Sequence, residues 1–164
     1  MLSVTVSSFR TLLVVGVLSV APLSAATAAK TPPAQRFGGH WTYSNDCQFG
    51  HYVDIDLVQN GASVTGSWSD GTRVEGWDGL LNGNIRNGKL HAKYCGTEAN
   101  SGHAVCPGYD ANESDYFARR GHDLVWYKSV GHGADRSFEK YAVLHPSAKG
   151  EHEAVAGDCP DGQN

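Results

Sequence analysis

Between Gly38 and His145 apolar and polar residues alternate, the two-residue period of strands that bury one face and wet the other. Eight stretches of strand length carry the pattern, at 38–44, 51–59, 62–69, 72–86, 89–95, 113–120, 124–129 and 136–145. No stretch of helical length repeats apolar residues at i, i+3, i+4 and i+7, and twenty glycines are too many for a helical protein. Asn60-Gly61, Asp70-Gly71 and Asn87-Gly88 fall between alternating stretches, and these residue types best tolerate the positive φ of tight primed turns. Each dipeptide therefore predicts a hairpin and its register. A turn at Asn60-Gly61 sets Leu57 opposite Val64 and Val53 opposite Trp68. One at Asp70-Gly71 sets Val64 opposite Trp77, Trp68 opposite Arg73 and Gly66 opposite Glu75. One at Asn87-Gly88 sets Ile85 opposite Leu90 and Leu81 opposite Tyr94.

Short connections predict an all-β, up-and-down antiparallel order, and about eight such strands close into a single barrel that exposes no edge. Trp77, Gly79, Leu81, Gly83 and Ile85 share one parity of a long fourth strand, so glycines alternate on its concave face, where they let it bend. If Trp77-Asp78-Gly79 is itself a turn, nine shorter strands form a two-sheet β-sandwich instead. The expected barrel domain spans 37–146, between an N-terminal linker at 29–36 and a polar tail at 147–164. An eight-stranded barrel is filled by side chains or holds one small ligand.

Residues 1–28 read as an export signal: Arg10, an apolar run at 11–23 too short for a comfortable membrane span, and a small-x-small cleavage site at Ala26-Thr27-Ala28. The expected location is periplasmic or secreted. Cys47, Cys95, Cys106 and Cys159 all follow the signal, an even count that predicts two disulfides in an oxidising compartment. Of three possible pairings the favoured one joins Cys95 with Cys106 across a short loop, and Cys47 with Cys159 to fasten the tail. A metal site using the His103-x-x-Cys106 spacing would need a thiolate that export disfavours, and no cofactor is expected. Thirteen Lys and Arg, less Arg10, leave twelve against seventeen Asp and Glu. Mild acidity without a basic run argues against nucleic acid and anionic membranes as partners.

Gly39-His40-Trp41 at the head of the first strand resembles the Gly-x-Trp of the calycins, the lipocalin and avidin group. The segment 61–68, with Val64-Thr65-Gly66-Ser67-Trp68, resembles the second hairpin of avidin-type barrels. The resemblance covers those two segments and implies a small exported β-barrel. It has no counterpart of the later lipocalin motifs and no biotin site, so it implies no ligand.

The registers direct Arg73 and Glu75 to the inner face near one mouth, beside Trp68 and Trp77, with His51 nearby on the parity of Val53. The same mouth should receive the loops 46–50, 96–112 and 130–135, with His103, Tyr109, Asp110 and His132 as their polar candidates. Apolar walls with a few convergent polar groups make a ligand pocket. The other outcome is an Arg73–Glu75 salt bridge that merely plugs the barrel. Nucleophile-elbow, His-Glu-x-x-His and phosphate-loop motifs are missing, so the chain is expected to be no enzyme. It is expected to be a binding module for a small molecule or an exported protein. An inhibitor or immunity protein that inserts the loop 96–112 into a basic cell-wall hydrolase is the alternative. A metal protein built on loop histidines is the third reading, and the other histidines are expected at the surface.

Overall fold

A computed structural model describes residues 36–47, 49–131 and 133–149; the signal at 1–28 and the end of the tail with Cys159 lie outside them. Eight strands follow one another around a closed antiparallel barrel: β1 (Gly39–Asn45), β2 (His51–Asn60), β3 (Ser63–Gly71), β4 (Gly76–Arg86), β5 (Lys89–Gly96), β6 (Asp115–Arg120), β7 (Asp123–Val130) and β8 (Ser137–Pro146). Among the described residues the one helical element is a single 3-10 turn at Gly133–Asp135. No helix among the described residues is long and apolar enough to cross a membrane. Alternate residues fill the interior, among them Ile55, Val64, Leu81, Phe117, Leu124 and Leu144, all fully buried. Gly79 shows how tightly the wall coils: a Cβ there would lie 1.8 Å from the carbonyl oxygen of Cys95 on the next strand.

Of the three hairpin registers, that of Asn87-Gly88 forms as expected, with Ile85 opposite Leu90, Leu81 opposite Tyr94 and both turn residues at positive φ. The first hairpin instead turns at Gly61-Ala62, because Gly61 (φ 61°) takes the first loop position. Leu57 then faces Gly66 and Ile55 faces Trp68. Partners move by two residues, so the inward face survives. The Asp70-Gly71 expectation is wrong: β3 runs through both residues and the chain reverses over 72–75. Thr72 builds that turn, its Oγ1 accepting from Val74 N (3.3 Å) and Glu75 N (3.2 Å) and its N donating to Glu75 O (2.7 Å). Trp68 accordingly faces Gly79 and Asp70 faces Trp77.

The two ends of the barrel are finished differently. Beneath it, the Trp41 indole donates to Phe37 O (2.9 Å), and the Arg119 guanidinium lies 4.5 Å from the Trp41 ring. That guanidinium donates to four carbonyl oxygens, of Arg36, Gly121, His122 and Asp123, at 2.7 to 3.1 Å. At the other end the wall is interrupted twice. β5 pairs with β6 only from Lys89 to Ala92, and above that its partner is the loop 97–114. Backbone bonds Gly96 N to Ala104 O, Cys106 N to Gly96 O and Asp110 N to Tyr94 O hold the loop, and the Cys95–Cys106 disulfide staples it. β8 meets β1 only at Trp41–Pro146 and Thr42–His145. It also carries a bulge opposite Trp126 and Tyr127, with Tyr141 the extra residue.

Candidate functional site

Asp70, the residue expected in a turn, is the hub of the open end. Its carboxylate accepts from His51 Nε2 (2.8 Å), Lys128 Nζ (2.8 Å) and Tyr141 Oη (2.9 and 2.8 Å). Burial alone would push its carboxyl up; the bond from His51 and the charge and bonds of Lys128 and Tyr141 outweigh that and hold it below the usual carboxylate value. Burial and the Asp70 charge in turn push the Tyr141 phenol well up, so it stays a donor. Tyr141 reaches the hub as the extra residue of the bulge, exposed at the rim beside the buried Ala142. Lys128 completes the cluster, 3.6 Å from the Tyr141 ring centre and 4.6 Å from that of Trp126.

Beside this hub lies a cavity of about 210 Å³ lined by Trp68, Tyr94, His103, Ser114, Asp115, Trp126, Lys128 and Ser129. Trp68 and Tyr94 meet edge to face at 5.6 Å, and the His103 ring stands 5.3 Å from Trp68 and 5.1 Å from Tyr94. His103 comes from the stapled loop. Its Nδ1 is 2.7 Å from Asp110 Oδ2, while Asp110 Oδ1 accepts from Ala104 N. A carboxylate only accepts, so this pairing fixes Nδ1 as the protonated nitrogen. Asp115 opens β6 facing inward and accepts from Trp126 Nε1 (2.9 Å) and Ser129 N (3.2 Å). Burial raises its carboxyl, and those two bonds with the charges of Lys128 and His103 only partly oppose the rise.

Two hydroxyls of the cavity are buried without a well-formed hydrogen bond among the described residues, although Asp115 and Trp126 stand close to one of them, Tyr94 Oη. Tyr94 is 1 % exposed, yet its Oη makes no hydrogen bond of acceptable geometry among the described residues, and neither does Ser114 Oγ. Burial, and after it the nearby Asp115 charge, drives the Tyr94 phenol upward. A buried hydroxyl without a partner costs stability, roughly 1–3 kcal/mol.

Of the residues singled out from the sequence, Trp68 and His103 line the cavity and His51 belongs to the adjoining hub. Trp77 is half-buried against the core, and Tyr109 is half-buried in the loop without lining the cavity. Arg73 and Glu75 do not face inward. Both sit exposed in the 72–75 turn, Arg73 reaching Asp46 at 3.3 Å, because β3 runs on past Gly71. There is no Arg73–Glu75 plug. His132 lies outside the described residues. Cys106 is committed to Cys95, leaving His103 no thiolate neighbour, and no group of three or more His, Cys, Asp or Glu among the described residues converges for a metal. Cys47 is disulfide-bonded too; its expected partner, Cys159, lies outside the described residues. Histidines expected at the surface are more engaged than that: His40 stands 3.3 Å from Asp54 and His145 2.9 Å from Asp123.

Sequence reading overlooked Asp70, Tyr94, Asp115, Trp126, Lys128 and Tyr141. Parity held a signal for most of them. Tyr94 follows Leu90 and Ala92 inward, Asp115 precedes Phe117, and Lys128 follows Leu124 and Trp126. Tyr141 had no such signal, since a bulge breaks the alternation that would locate it. No family model, curated protein or solved structure matches the chain, which leaves the cavity's own chemistry as the guide to its occupant.

Proposed function

We propose that this chain is an exported, non-catalytic binding module that holds a small molecule in the mouth of its barrel. The observation that carries the reading is the pair of buried hydroxyls without a well-formed hydrogen bond, Tyr94 Oη and Ser114 Oγ, in an aromatic-walled cavity at the end of the barrel where the loop 97–114 replaces part of the wall. A ligand would supply the bonds those hydroxyls lack. The volume, about 210 Å³, is below the range of drug-sized pockets, so the ligand is small. Export is supported by the apolar run and small-x-small site near the start of the chain and by the disulfide at Cys95–Cys106.

The inhibitor reading draws less support from the loop 97–114. Its His103 and Asp110 bond each other, with His103 turned to the cavity, and its Glu113 pairs with Arg86 of β4. The loop serves as a wall. The test is a thermal-shift screen of small polar aromatic and aliphatic compounds against the purified protein. A compound that raises the melting temperature should raise it less in Tyr94→Phe and equally in Arg73→Ala. Equal shifts in Tyr94→Phe and lost shifts in Arg73→Ala would move the site away from this cavity and sink the proposal.

A further inference from the structure

Resting on that reading, we infer that the ligand is a cation, a small organic amine whose ammonium group sits against Asp115 within the rings of Trp68, Tyr94 and Trp126. The charges argue first. The fixed charges of the lining and of the groups bonded to it are three carboxylates, Asp70, Asp110 and Asp115, against one ammonium, Lys128. Lys128 is already committed, bonded to Asp70 and seated over two rings. Asp115, 8 % exposed, accepts from an indole N–H and a backbone N–H, both neutral, lies near the Tyr94 hydroxyl, and no ion pair among the described residues includes it. A buried carboxylate without a bonded counter-ion favours a cation in the adjoining space and disfavours an anion.

The oxygens argue second. An ammonium offers up to three N–H donors, and the cavity presents Asp115, Tyr94 Oη and Ser114 Oγ, the last two without a well-formed hydrogen bond among the described residues. The walls argue third. Indole and phenol faces attract a desolvated cation, and the same mouth already holds one in that manner, Lys128 at 3.6 Å from the Tyr141 ring. A carboxylate or phosphate ligand would find Asp115 opposing it and the one lining ammonium occupied.

The experiment measures, by calorimetry near neutral pH, binding of three compounds of one size: phenethylamine, 2-phenylethanol and 3-phenylpropionate. The amine should bind at least tenfold more tightly than either other compound. Asp115→Asn should abolish that preference. Tyr94→Phe, which removes the hydroxyl and keeps the ring that packs against Trp68 and Trp126, should weaken the amine several-fold; it decides the matter if Asp115→Asn fails to fold. Alcohol or carboxylate binding as tightly as the amine overturns the inference and leaves the small-molecule reading standing. Amine binding unchanged in Tyr94→Phe also overturns it. No binding by any of the three counts against both.

Discussion

The two ends of this barrel solve the same problem in opposite ways. At the closed end Arg119 distributes its guanidinium over four carbonyls and the Trp41 ring, and the Trp41 indole reaches Phe37 O, so these two large side chains tie the end together from within the chain. At the open end Asp70 gathers three donors while, among the described residues, Tyr94 Oη and Ser114 Oγ make no well-formed hydrogen bond and Asp115 keeps a buried carboxyl without an ion pair. Among the described residues the two unpartnered buried hydroxyls lie around the open-end cavity, while the other unpartnered buried side-chain atoms are the ring nitrogens of His40 on β1, whose Nε2 stands 3.3 Å from Asp54. Hydroxyls that border a cavity are groups a bound molecule could satisfy.

That contrast is broken hardest at the closed end. Trp41→Ala removes a side chain 3 % exposed and should cost about 3–5 kcal/mol by urea denaturation, without changing which ligands bind the fraction that remains folded. Removing the staple comes next. A disulfide across a separation of 11 residues is worth about 3 kcal/mol in the chain-entropy model, so Cys95→Ser with Cys106→Ser should lose that much. Here ligand-induced thermal shifts should fall as well, because the loop is also the cavity wall.

Asp70→Ala leaves Lys128, His51 and Tyr141 without their common acceptor and should cost about 2 kcal/mol, reduced from a fully buried pair because Lys128 can reach solvent. Its pH signature is distinctive. Asp70 is held below its ordinary 3.8, so its contribution is complete above that value and disappears as pH falls through the lowered one. Asp115 has the opposite sign: raised by burial, it stabilises the fold relative to neutral pH when protonated, and that gain is lost as pH rises from 3.8 through its elevated value. Urea midpoints from pH 3 to 7 should show the acid-side loss vanish in Asp70→Ala and the opposing slope vanish in Asp115→Asn. Smallest of all, Arg73→Ala and Glu75→Gln should each stay within about 0.5 kcal/mol, as substitutions in an exposed turn. A larger loss would restore the plugged mouth that the registers first suggested.

Parity made the architecture legible. Strand count, order, inner face and the third hairpin follow from alternation and from Asn87-Gly88, where both turn residues do take positive φ. The site was legible only by neighbourhood, and one residue shows why. Asp70-Gly71 has the composition of a primed turn, but Asp70 gains more from three donors on β2, β7 and β8 than from capping a reversal, and Thr72 makes a turn two residues later. Those donors are 19, 58 and 71 residues away in sequence, beyond any local pattern. Moving the turn moved Arg73 and Glu75 out of the barrel. Tyr141 was hidden for a different reason, a bulge that breaks the alternation.

The four tryptophans report the difference between the ends most directly. Trp68 and Trp126 line the cavity, while Trp41 lies at the closed end with its N–H bonded to Phe37 O. Nitrogen-edited NMR of the indole N–H groups, recorded with and without a small molecule that raises the melting temperature, should show the Trp68 and Trp126 signals move and the Trp41 signal stay fixed. Movement of Trp41 with Trp68 and Trp126 unchanged would contradict the assignment of binding to the open mouth.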